Sequence, residues 1–289
     1  MKRIFVLVTI LLSIIYTTNA QLLWKVSGKG IKKSYIFGTN HLAPASFLDS
    51  IPYVYKAFNS TQIVVGEIIM NAKNINDTIR AYATLPEGVT LKSLLSDADY
   101  TLVDSAVRKT LFLNLNDLNK LKPIMIATLY QTILYQKLYQ NNEDFFLDSY
   151  FQQVGEMKNK KIIALESVEQ QSKILFGYQT LERQAKILVE AVKDTSFLSE
   201  NKKIIRLYKE QKIDSLLNMV LNDTTKTAPT KHELNEWIFD RNSEWAKKLP
   251  AIFKQNSAFV AVGAGHLAGK NGLIALLRKK GFKVQAIMK

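Results

Sequence analysis

The stretch FVAVGAGHLAG, at Phe259–Gly269, decides how the rest of the chain is interpreted. A short apolar run, Phe259–Val262, stops at two glycines and is followed by His266. The pattern of the next segment, Asn271–Lys280, is helical. This order predicts a buried strand, a loop that presents an imidazole, and a helix that leads away from it.

A second stretch has the same design 225 positions earlier in the chain. The apolar run Tyr35–Phe37 is followed by Gly-Thr-Asn-His, which ends at His41. The chain contains three histidines, so two of them close a G-x-x-H motif after a strand-like run. A single histidine after a strand is more often an ordinary loop residue, but the repetition favours a shared functional site.

The pattern of the whole chain places strands at both ends and helices in the middle. A last strand with alternating apolar residues follows the helix Asn271–Lys280, with Gly281 between them as the helix cap. The tail is therefore a β-α-β unit, and part of the sheet should be parallel. The strand candidates are Leu22–Gly28, Ser34–Phe37, Thr61–Ile69, Lys161–Leu165, Ala258–Val262 and Phe282–Met288.

We therefore predict an α/β fold with a mixed central sheet and a large helical insertion at about 97–250. Residues 21–289 should form one domain, since no linker or internal repeat marks a boundary. Among the helices, one is expected over Ile51–Phe58 with Pro52 in its first turn, one over Ile124–Tyr139, and one over Phe145–Lys158.

Four of the strand candidates end in a residue that can bind a metal or move a proton: His41, Glu67, Glu166 and His266. Ligands bind at the carboxyl ends of parallel strands, so these side chains should converge on one rim of the sheet. Imidazole and carboxylate together suit Zn, Mn, Co or Fe. Such a metal would acidify a bound water and polarise a carbonyl group.

The glycines Gly38, Gly263 and Gly265 are expected to supply sharp turns at the strand ends, by positive φ or close approach. Arg241 lies in a helical segment flanked by aromatic residues. It is either a surface cation or a clamp for a substrate carboxylate or oxyanion. The remaining histidine, His232, is expected on a solvated helix face, because a zincin helix would need a second histidine.

Other sites are excluded by the sequence. The segment beginning at Gly263 satisfies G-x-G-x-x-A, but no acidic residue follows about twenty positions on, so it does not predict dinucleotide binding. No G-x-S-x-G elbow is present. The absence of cysteine excludes disulfides, thiolate zinc sites and a cysteine nucleophile. The net charge is +14, but the cations are dispersed in short pairs, so we expect no nucleic-acid partner.

The first twenty residues have the pattern of a secretory signal peptide. Lys2 and Arg3 precede the apolar run Ile4–Tyr16, and Thr18–Ala20 is a small-residue cleavage site. We therefore expect an exported protein, periplasmic or extracellular, that begins near Gln21. No membrane anchor is expected after cleavage, because no later segment is apolar and long enough to span a membrane.

The chain resembles the TraB/GumN family, which includes the Tiki metalloproteases. The matching blocks run in the family's order over nearly the whole chain. They are LLWKVSG at Leu22–Gly28, SYIFGTNHL at Ser34–Leu42, IVVGEI at Ile63–Ile68, LKPIMIATL at Leu121–Leu129, FLDSYF at Phe146–Phe151, KKIIALESVEQQ at Lys160–Gln171, the pair Arg241–Asn242, and AFVAVGAGHLAGKNGLIALLRKKGFKV at Ala258–Val284.

The resemblance implies an α/β fold in which His41, His266 and Glu67 bind a divalent metal, Mn, Co or Zn, and act in catalysis. Arg241 is expected to act as a catalytic clamp. The polar residues Asn40, Asp148 and Glu166 are expected to contact substrate. Gln171 also matches a family position, without an assigned role. One departure is Gly66, where family members usually carry a larger apolar residue, and it is expected to loosen the strand end.

These expectations define an exported divalent-metal-dependent hydrolase, with peptidase as the leading activity and a peptide or protein as substrate. Two alternatives stay open on the sequence. One is a non-catalytic periplasmic ligand-binding protein that uses the same rim. The other is a metal-independent esterase that uses histidine as base and glutamate as its partner.

Overall fold

A computed structural model describes residues 21–41, 43–137 and 146–288. Within these ranges six strands form one mixed sheet in the order β4-β3-β5-β2-β1-β6. Strands β4, β3, β5 and β2 are parallel, whereas β1 is antiparallel to both β2 and β6. Their bounds are β1 Leu23–Ser27, β2 Ser34–Thr39, β3 Ile63–Gly66, β4 Lys161–Ala164, β5 Ala258–Gly263 and β6 Lys283–Ala286. The predicted fold class is confirmed.

The two strands that carry the G-x-x-H motifs lie side by side at the centre of this sheet. Every residue of β2 and of β5 is buried, as expected for continuous apolar runs covered on both faces. In their register Gly38 lies opposite Val262, and Thr39 lies opposite Gly263. Both strands therefore end at the same level of the sheet, and their two loops leave it together.

The helices fill the middle of the chain, as predicted. In the described residues the α-helices are α1 Val54–Asn59, α2 Ile75–Ala83, α3 Leu91–Leu94, α4 Asp97–Leu111, α5 Pro123–Gln136, α6 Leu147–Met157, α7 Val168–Gly177, α8 Leu181–Lys193, α9 Phe197–Lys209, α10 Ile213–Leu221, α11 Lys231–Leu234, α12 Asp240–Gln255 and α13 Leu273–Lys279. Short 3₁₀ segments span Ala45–Ser50, Leu115–Leu118 and Ala264–His266, and a π-helical turn spans Asn235–Phe239.

The apolar side chains form two separate cores. In the core around the sheet, the Phe151 ring lies 4.8 Å from that of Phe259 and 5.4 Å from that of Phe37, measured between centroids. The second core lies among α3, α4, α5 and α8, and includes the fully buried Val103 and Leu188. The helical middle of the chain thus buries apolar surface of its own besides covering the sheet.

The tail forms the predicted β-α-β unit with a wide crossover. Strands β5 and β6 point the same way, but β2 and β1 lie between them. Gly281 ends α13 with φ +87°, the left-handed conformation that glycine adopts at no steric cost. Among the residues that the structure describes, no helix combines the length and apolar character needed to cross a membrane.

One predicted helix start needs correction, and three predicted features lie wholly or partly outside the described residues. The helix predicted to begin at Ile51 begins at Val54 instead, because Tyr53 adopts φ +64°, which a right-handed helix does not allow. The leader at 1–20 is outside the described ranges. So are the end of the helix predicted over Ile124–Tyr139 and the start of the one predicted over Phe145–Lys158.

Candidate functional site

The carboxyl ends of the four parallel strands lie in a row along one rim of the sheet. Because the strand order is β4-β3-β5-β2, the rim carries Glu166, Glu67, His266 and His41 in that sequence. Each of these residues follows its strand by one to three positions. The predicted juxtaposition of the four strand ends is therefore present, whereas the chemical roles given to the residues stay predictions.

Three of the side chains meet beside the α-carbon of Gly263. A β-carbon placed there would lie 3.2 Å from His41 Nε2, 3.4 Å from Glu67 Oε1 and 3.5 Å from His266 Cδ2. The missing side chain of this glycine leaves a space bounded by two imidazoles and one carboxylate. Any larger residue at position 263 would press into that space.

The His41 imidazole is oriented by a carboxylate on α6. Its Nδ1 donates to Asp148 Oδ2 at 2.8 Å, and Asp148 Oδ1 accepts from the Thr39 hydroxyl at 2.6 Å. This leaves Nε2 as the atom that faces Gly263. The Asp148 carboxylate raises the pKa of His41 to about 9, although desolvation of the ring opposes this. The side chain is 64% exposed, so it forms the open side of the site.

The His266 imidazole is oriented by an amide instead. The amide nitrogen of Asn242 donates to the Asn271 carbonyl at 2.9 Å, so Asn242 Oδ1 accepts from His266 Nδ1 at 2.7 Å. The His266 ring packs on Trp245, with 4.5 Å between centroids. Burial lowers the pKa of His266 to about 3. The ring is therefore neutral near pH 7, with its Nε2 lone pair directed into the site.

Glu67 is buried and hydrogen-bonded at both oxygens. Oε1 accepts from the Gly263 amide at 2.9 Å and lies 3.9 Å from His266 Nε2. Oε2 accepts from Arg241 at 2.6 Å and from Gln171 at 3.0 Å. Burial by itself would raise the pKa of Glu67, but the neighbouring imidazole and guanidinium groups lower it to about 2. Glu67 is thus a carboxylate at neutral pH.

Arg241 connects the buried half of the rim. It donates two hydrogen bonds to Glu166, at 2.6 and 3.0 Å, and one to Glu67 Oε2. Its remaining donor group, Nη1, binds the Trp237 carbonyl at 2.9 Å and His266 Nε2 at 3.1 Å. Every nitrogen of the guanidinium therefore contacts a protein acceptor. The residue follows a π-helical turn, a feature that often accompanies functional sites.

Gln171 reinforces the same cluster from α7. Its amide nitrogen donates to Glu67 and Glu166, at 3.0 Å each, so the two carboxylates share both an amide and a guanidinium donor. Both Glu166 oxygens bind Arg241 or Gln171, and both Asp148 oxygens bind Thr39 or His41. Their expected contact with substrate stays a prediction.

The remaining site residues show what sequence reasoning missed. Asn40 donates to the Tyr135 hydroxyl at 2.9 Å, and its expected role toward substrate is likewise untested. His232 is exposed, as predicted. The orienting roles of Thr39 and Asn242 were not predicted. Each is adjacent in sequence to a residue singled out as functional, and each lies in a block that matches the family.

Of the three predicted glycines at the strand ends, Gly38 and Gly263 act by close approach, and none has a positive φ. A β-carbon on Gly38 would lie 2.9 Å from the Leu267 side chain and 3.0 Å from Ala264 Cα. Gly265 has open space around it, so no close contact explains it. That Gly66 loosens its strand stays a prediction; a β-carbon there would overlap the buried amide of Gln152. The glycine leaves room for a neighbouring side chain.

A cleft of about 1240 Å³ opens from the His41 and His266 side of the rim. Its walls come from α5, α9 and α10, and from the residues that follow α10. This volume exceeds the roughly 300–1000 Å³ of typical small-molecule pockets. On the other side of the rim, Arg241 and Glu166 line a smaller pocket of about 320 Å³. The buried cluster thus separates two openings.

The donor atoms around Gly263 are chemically suited to a divalent cation. Imidazole nitrogens and a carboxylate are its usual ligands, and both imidazoles have hydrogen-bonded partners that direct Nε2 inward. Within the described ranges, however, no three His, Asp or Glu side chains already stand in a metal-holding arrangement. The hydrogen bond from Arg241 to His266 Nε2 would have to open for that nitrogen to bind an ion.

The geometry defines the class of protein: an α/β protein with a histidine–carboxylate site at the carboxyl ends of its parallel strands. The chain belongs to the TraB/PrgY/gumN family, whose model matches residues 22–286. The family resemblance inferred from the sequence motifs is therefore confirmed.

Curated relatives carry the name metalloprotease at low identity. The chain is 23% identical to Metalloprotease TIKI1 of Xenopus tropicalis over 313 residues, covering 91% of this chain and 60% of the relative. It is 23% identical to Metalloprotease TIKI2 of Danio rerio over 319 residues, again covering 91% of this chain and 60% of the relative. Metalloprotease TIKI homolog of Amphimedon queenslandica is 20% identical over 326 residues, covering 93% of this chain and 62% of the relative.

The chain thus spans about 60% of the length of the curated relatives that it matches. No solved structure is significantly similar to it.

Proposed function

We propose that the protein is a divalent-metal-dependent hydrolase that acts on peptides. The observation that carries the proposal is the convergence of His41 Nε2, Glu67 Oε1 and His266 beside the α-carbon of Gly263. The names of the curated relatives support peptide hydrolysis as the reaction class. The large volume of the adjoining cleft supports a polymeric substrate.

In this proposal the two imidazoles bind the ion through Nε2, and Glu67 contributes Oε1. A metal held there, Mn, Co or Zn, would activate a water and polarise the scissile carbonyl. Asp148 and Asn242 fix the two ring orientations through Nδ1, as outer-shell partners of metal-binding histidines do. The buried Glu67 carboxylate stays charged near pH 7, so it can bind a cation without first losing a proton.

Arg241 has a positioning role in this proposal. Its nitrogens already donate to protein groups, so a free fork for a substrate carboxylate is not available in this arrangement. The guanidinium instead holds Glu67 against the site and balances the negative charge of the Glu67 and Glu166 carboxylates. It therefore acts on the reaction through Glu67.

The leader-like segment at 1–20 supports the further proposal that the protein acts after export. Its charged start, apolar run and small-residue end have the order of a cleavable signal. Expression of the full chain should yield a mature protein whose first residue is near Gln21, measured by mass spectrometry of the exported fraction. A product that retains Met1 would contradict export by cleavage.

Metal binding by matched variants tests the central proposal. The purified protein is loaded with Mn²⁺, Co²⁺ or Zn²⁺, and metal content and calorimetric affinity are measured for the wild type, His41→Ala, His266→Ala and His232→Ala. We expect the first two substitutions to weaken binding by at least about 100-fold. The exposed His232 serves as the control and should leave binding unchanged.

Hydrolysis of a peptide library by the metal-loaded protein completes the test. Glu67→Gln should remove turnover, and a chelator should remove it from the wild type. A wild-type protein that binds none of the three metals would overturn the proposal. Turnover that a chelator leaves intact would instead favour the metal-independent esterase.

A second candidate, a non-catalytic peptide-binding protein, is favoured by one specific observation. Arg241 donates to His266 Nε2, the lone pair that a metal would need. This candidate predicts that peptides bind in the cleft without turnover. It also predicts that His41→Ala weakens peptide binding only in part.

A further inference from the structure

The hairpin of α9 and α10 forms one long wall of the cleft. Helix α9 spans Phe197–Lys209 and α10 spans Ile213–Leu221, and the turn that joins them is three residues long. A turn this short makes the two helices antiparallel neighbours. The start of α9 therefore lies beside the end of α10, and the cleft has two different ends along this wall.

The turn end of the hairpin is fixed to the rim of the sheet. The Tyr208 hydroxyl donates to the Gly38 carbonyl at 2.8 Å, and the Leu22 amide donates to the Gln211 side chain at 3.3 Å. A β-carbon on Gly269 would lie 2.8 Å from the Leu217 side chain, so α10 also packs closely against the loop that follows His266. This end of the hairpin borders the site.

The open end of the hairpin carries exposed apolar side chains. Leu198 is 40% exposed, Val220 41% and Leu221 43%. The half-buried Phe197 lines the cleft, as Val220 does. We call these four residues, Phe197, Leu198, Val220 and Leu221, the apolar lip. Solvent-exposed apolar side chains grouped at the mouth of a cleft are typical of a ligand-binding surface.

The wall between the site and the apolar lip is largely uncharged. Its lining side chains include Asn201, Ile204, Leu216 and Asn218. Away from the histidines, the charged residues that line the described cleft are Glu200, Lys203 and Asp223, although the whole chain has 39 Lys and Arg. The cleft is therefore suited to a neutral chain that offers backbone hydrogen bonds and apolar side chains.

The length of the wall determines how many residues of an extended peptide lie between the site and the apolar lip. Leu207, at the site end, and Phe197, at the lip, are ten positions apart on one helix. At about 1.5 Å per residue this separation is about 15 Å. An extended peptide advances about 3.3 Å per residue, so it covers the wall in about five residues.

We propose that the substrate is an extended, largely uncharged peptide segment with an apolar side chain about five residues from the scissile bond. That side chain binds the apolar lip. The inference rests on the proposed peptide hydrolysis for the position of the scissile bond. The apolar lip and the wall are formed by the chain itself, so their ability to bind a peptide does not depend on a metal ion at the rim.

Labelled synthetic peptides test this directly, by fluorescence anisotropy and by cleavage with the metal-loaded full chain. A neutral Ser/Thr/Asn/Ala peptide carries one Leu, which is moved along the sequence, and the same peptide with Ala in place of the Leu is the reference. We expect the cleaved bond to move with the Leu and to stay about five residues from it, and the Leu peptides to bind about tenfold more tightly than the Ala reference. Replacing the intervening residues with Asp or Lys should weaken binding.

The double variant Phe197→Ala, Val220→Ala should lose that tenfold preference, while its metal affinity stays that of the wild type. Leu175→Ala is the control, because Leu175 is 50% exposed on α7 and does not line the cleft. Circular dichroism establishes that both variants remain folded.

The outcomes separate this inference from the proposed function. A cleaved bond that does not move with the Leu, or an unchanged preference for Leu in the double variant, overturns the inference and leaves hydrolysis standing. A preference for Leu that the double variant loses, without turnover of any peptide, supports the lip and contradicts the enzyme. A wild-type protein that neither binds nor cleaves any of the peptides overturns both.

Discussion

The ends of β2 and β5 carry the same G-x-x-H motif, yet they hold their histidines in opposite ways. His41 is exposed and donates to the carboxylate of Asp148. His266 is buried and donates to the amide of Asn242. The carboxylate raises the pKa of His41 to about 9, whereas burial lowers the pKa of His266 to about 3. At neutral pH one metal-free ring is an imidazolium and the other is a neutral imidazole.

The difference shows that a sequence motif fixes where an imidazole lies but not its charge. The charge depends on the side chain that reaches Nδ1 and on solvent access, and both come from helices distant in the sequence. A neutral His266 needs no deprotonation to offer its Nε2 lone pair, whereas His41 must release a proton. The following substitutions test this contrast.

The largest effect on stability is expected from Arg241→Met, which changes the buried part of the site around His266 and Glu67 and leaves the exposed part around His41 unchanged. It would leave Glu67 and Glu166, 7% and 6% exposed, without their cation. We expect the free energy of unfolding to fall by about 3–5 kcal/mol. Urea denaturation measures it, with Arg108→Met as the control, since that arginine is 57% exposed. A loss no larger than that of the control would break the proposed contrast.

A smaller difference is expected between His266→Ala and His41→Ala in metal-free protein. The first removes a ring packed on Trp245 and leaves the oxygen of Asn242 without its donor, so about 2–3 kcal/mol of stability should be lost. The second removes the exposed histidine of an ion pair, and Asp148 keeps its hydrogen bond from Thr39, so the cost should be less than about 1 kcal/mol. If both variants lose the same free energy of unfolding in thermal or urea denaturation, the two histidines are not held differently.

The smallest effect is a pH dependence that belongs to His41. Its folded pKa lies above the ordinary value of 6.5, so its ion pair stabilises the fold fully below pH 6.5. The contribution is lost as the pH rises through about 9. Because the side chain is exposed, we expect less than about 1 kcal/mol. His41→Gln should flatten the stability curve in this window.

His266→Gln serves as the comparison in the same window. His266 is already neutral between pH 6.5 and 9, so this substitution should lower stability without changing the slope. Both variants are measured in chelator. If His266→Gln removes the pH dependence of stability between pH 6.5 and 9 and His41→Gln preserves it, the dependence belongs to His266 and not to His41.

Much of the fold follows from the sequence because periodicity and apolar runs report local structure. The strands around Val260 and Ile36 could be predicted, as could the convergence of His41 and His266. The helix start near Ile51 could not, because it depends on the backbone conformation of Tyr53.

The partners of the site residues were beyond sequence reasoning for a different reason. Asp148 lies 107 positions from His41, and Glu67 lies 174 positions from Arg241. Such pairs depend on how helices cross the sheet, which no local pattern specifies. The family resemblance brought these positions to notice but gave them no partners.

Gly66 restricts the order in which substitutions can accumulate at two positions of this chain. The Gln152 amide fills the space beside it, donates to the Ile68 carbonyl and accepts from the Met70 amide. A larger residue at position 66 would meet that amide, so the two sites are epistatic. A mutational path toward a larger residue there should first shorten Gln152, since the reverse order passes through an overcrowded intermediate. Positions 66 and 152 are thus expected to co-vary among relatives.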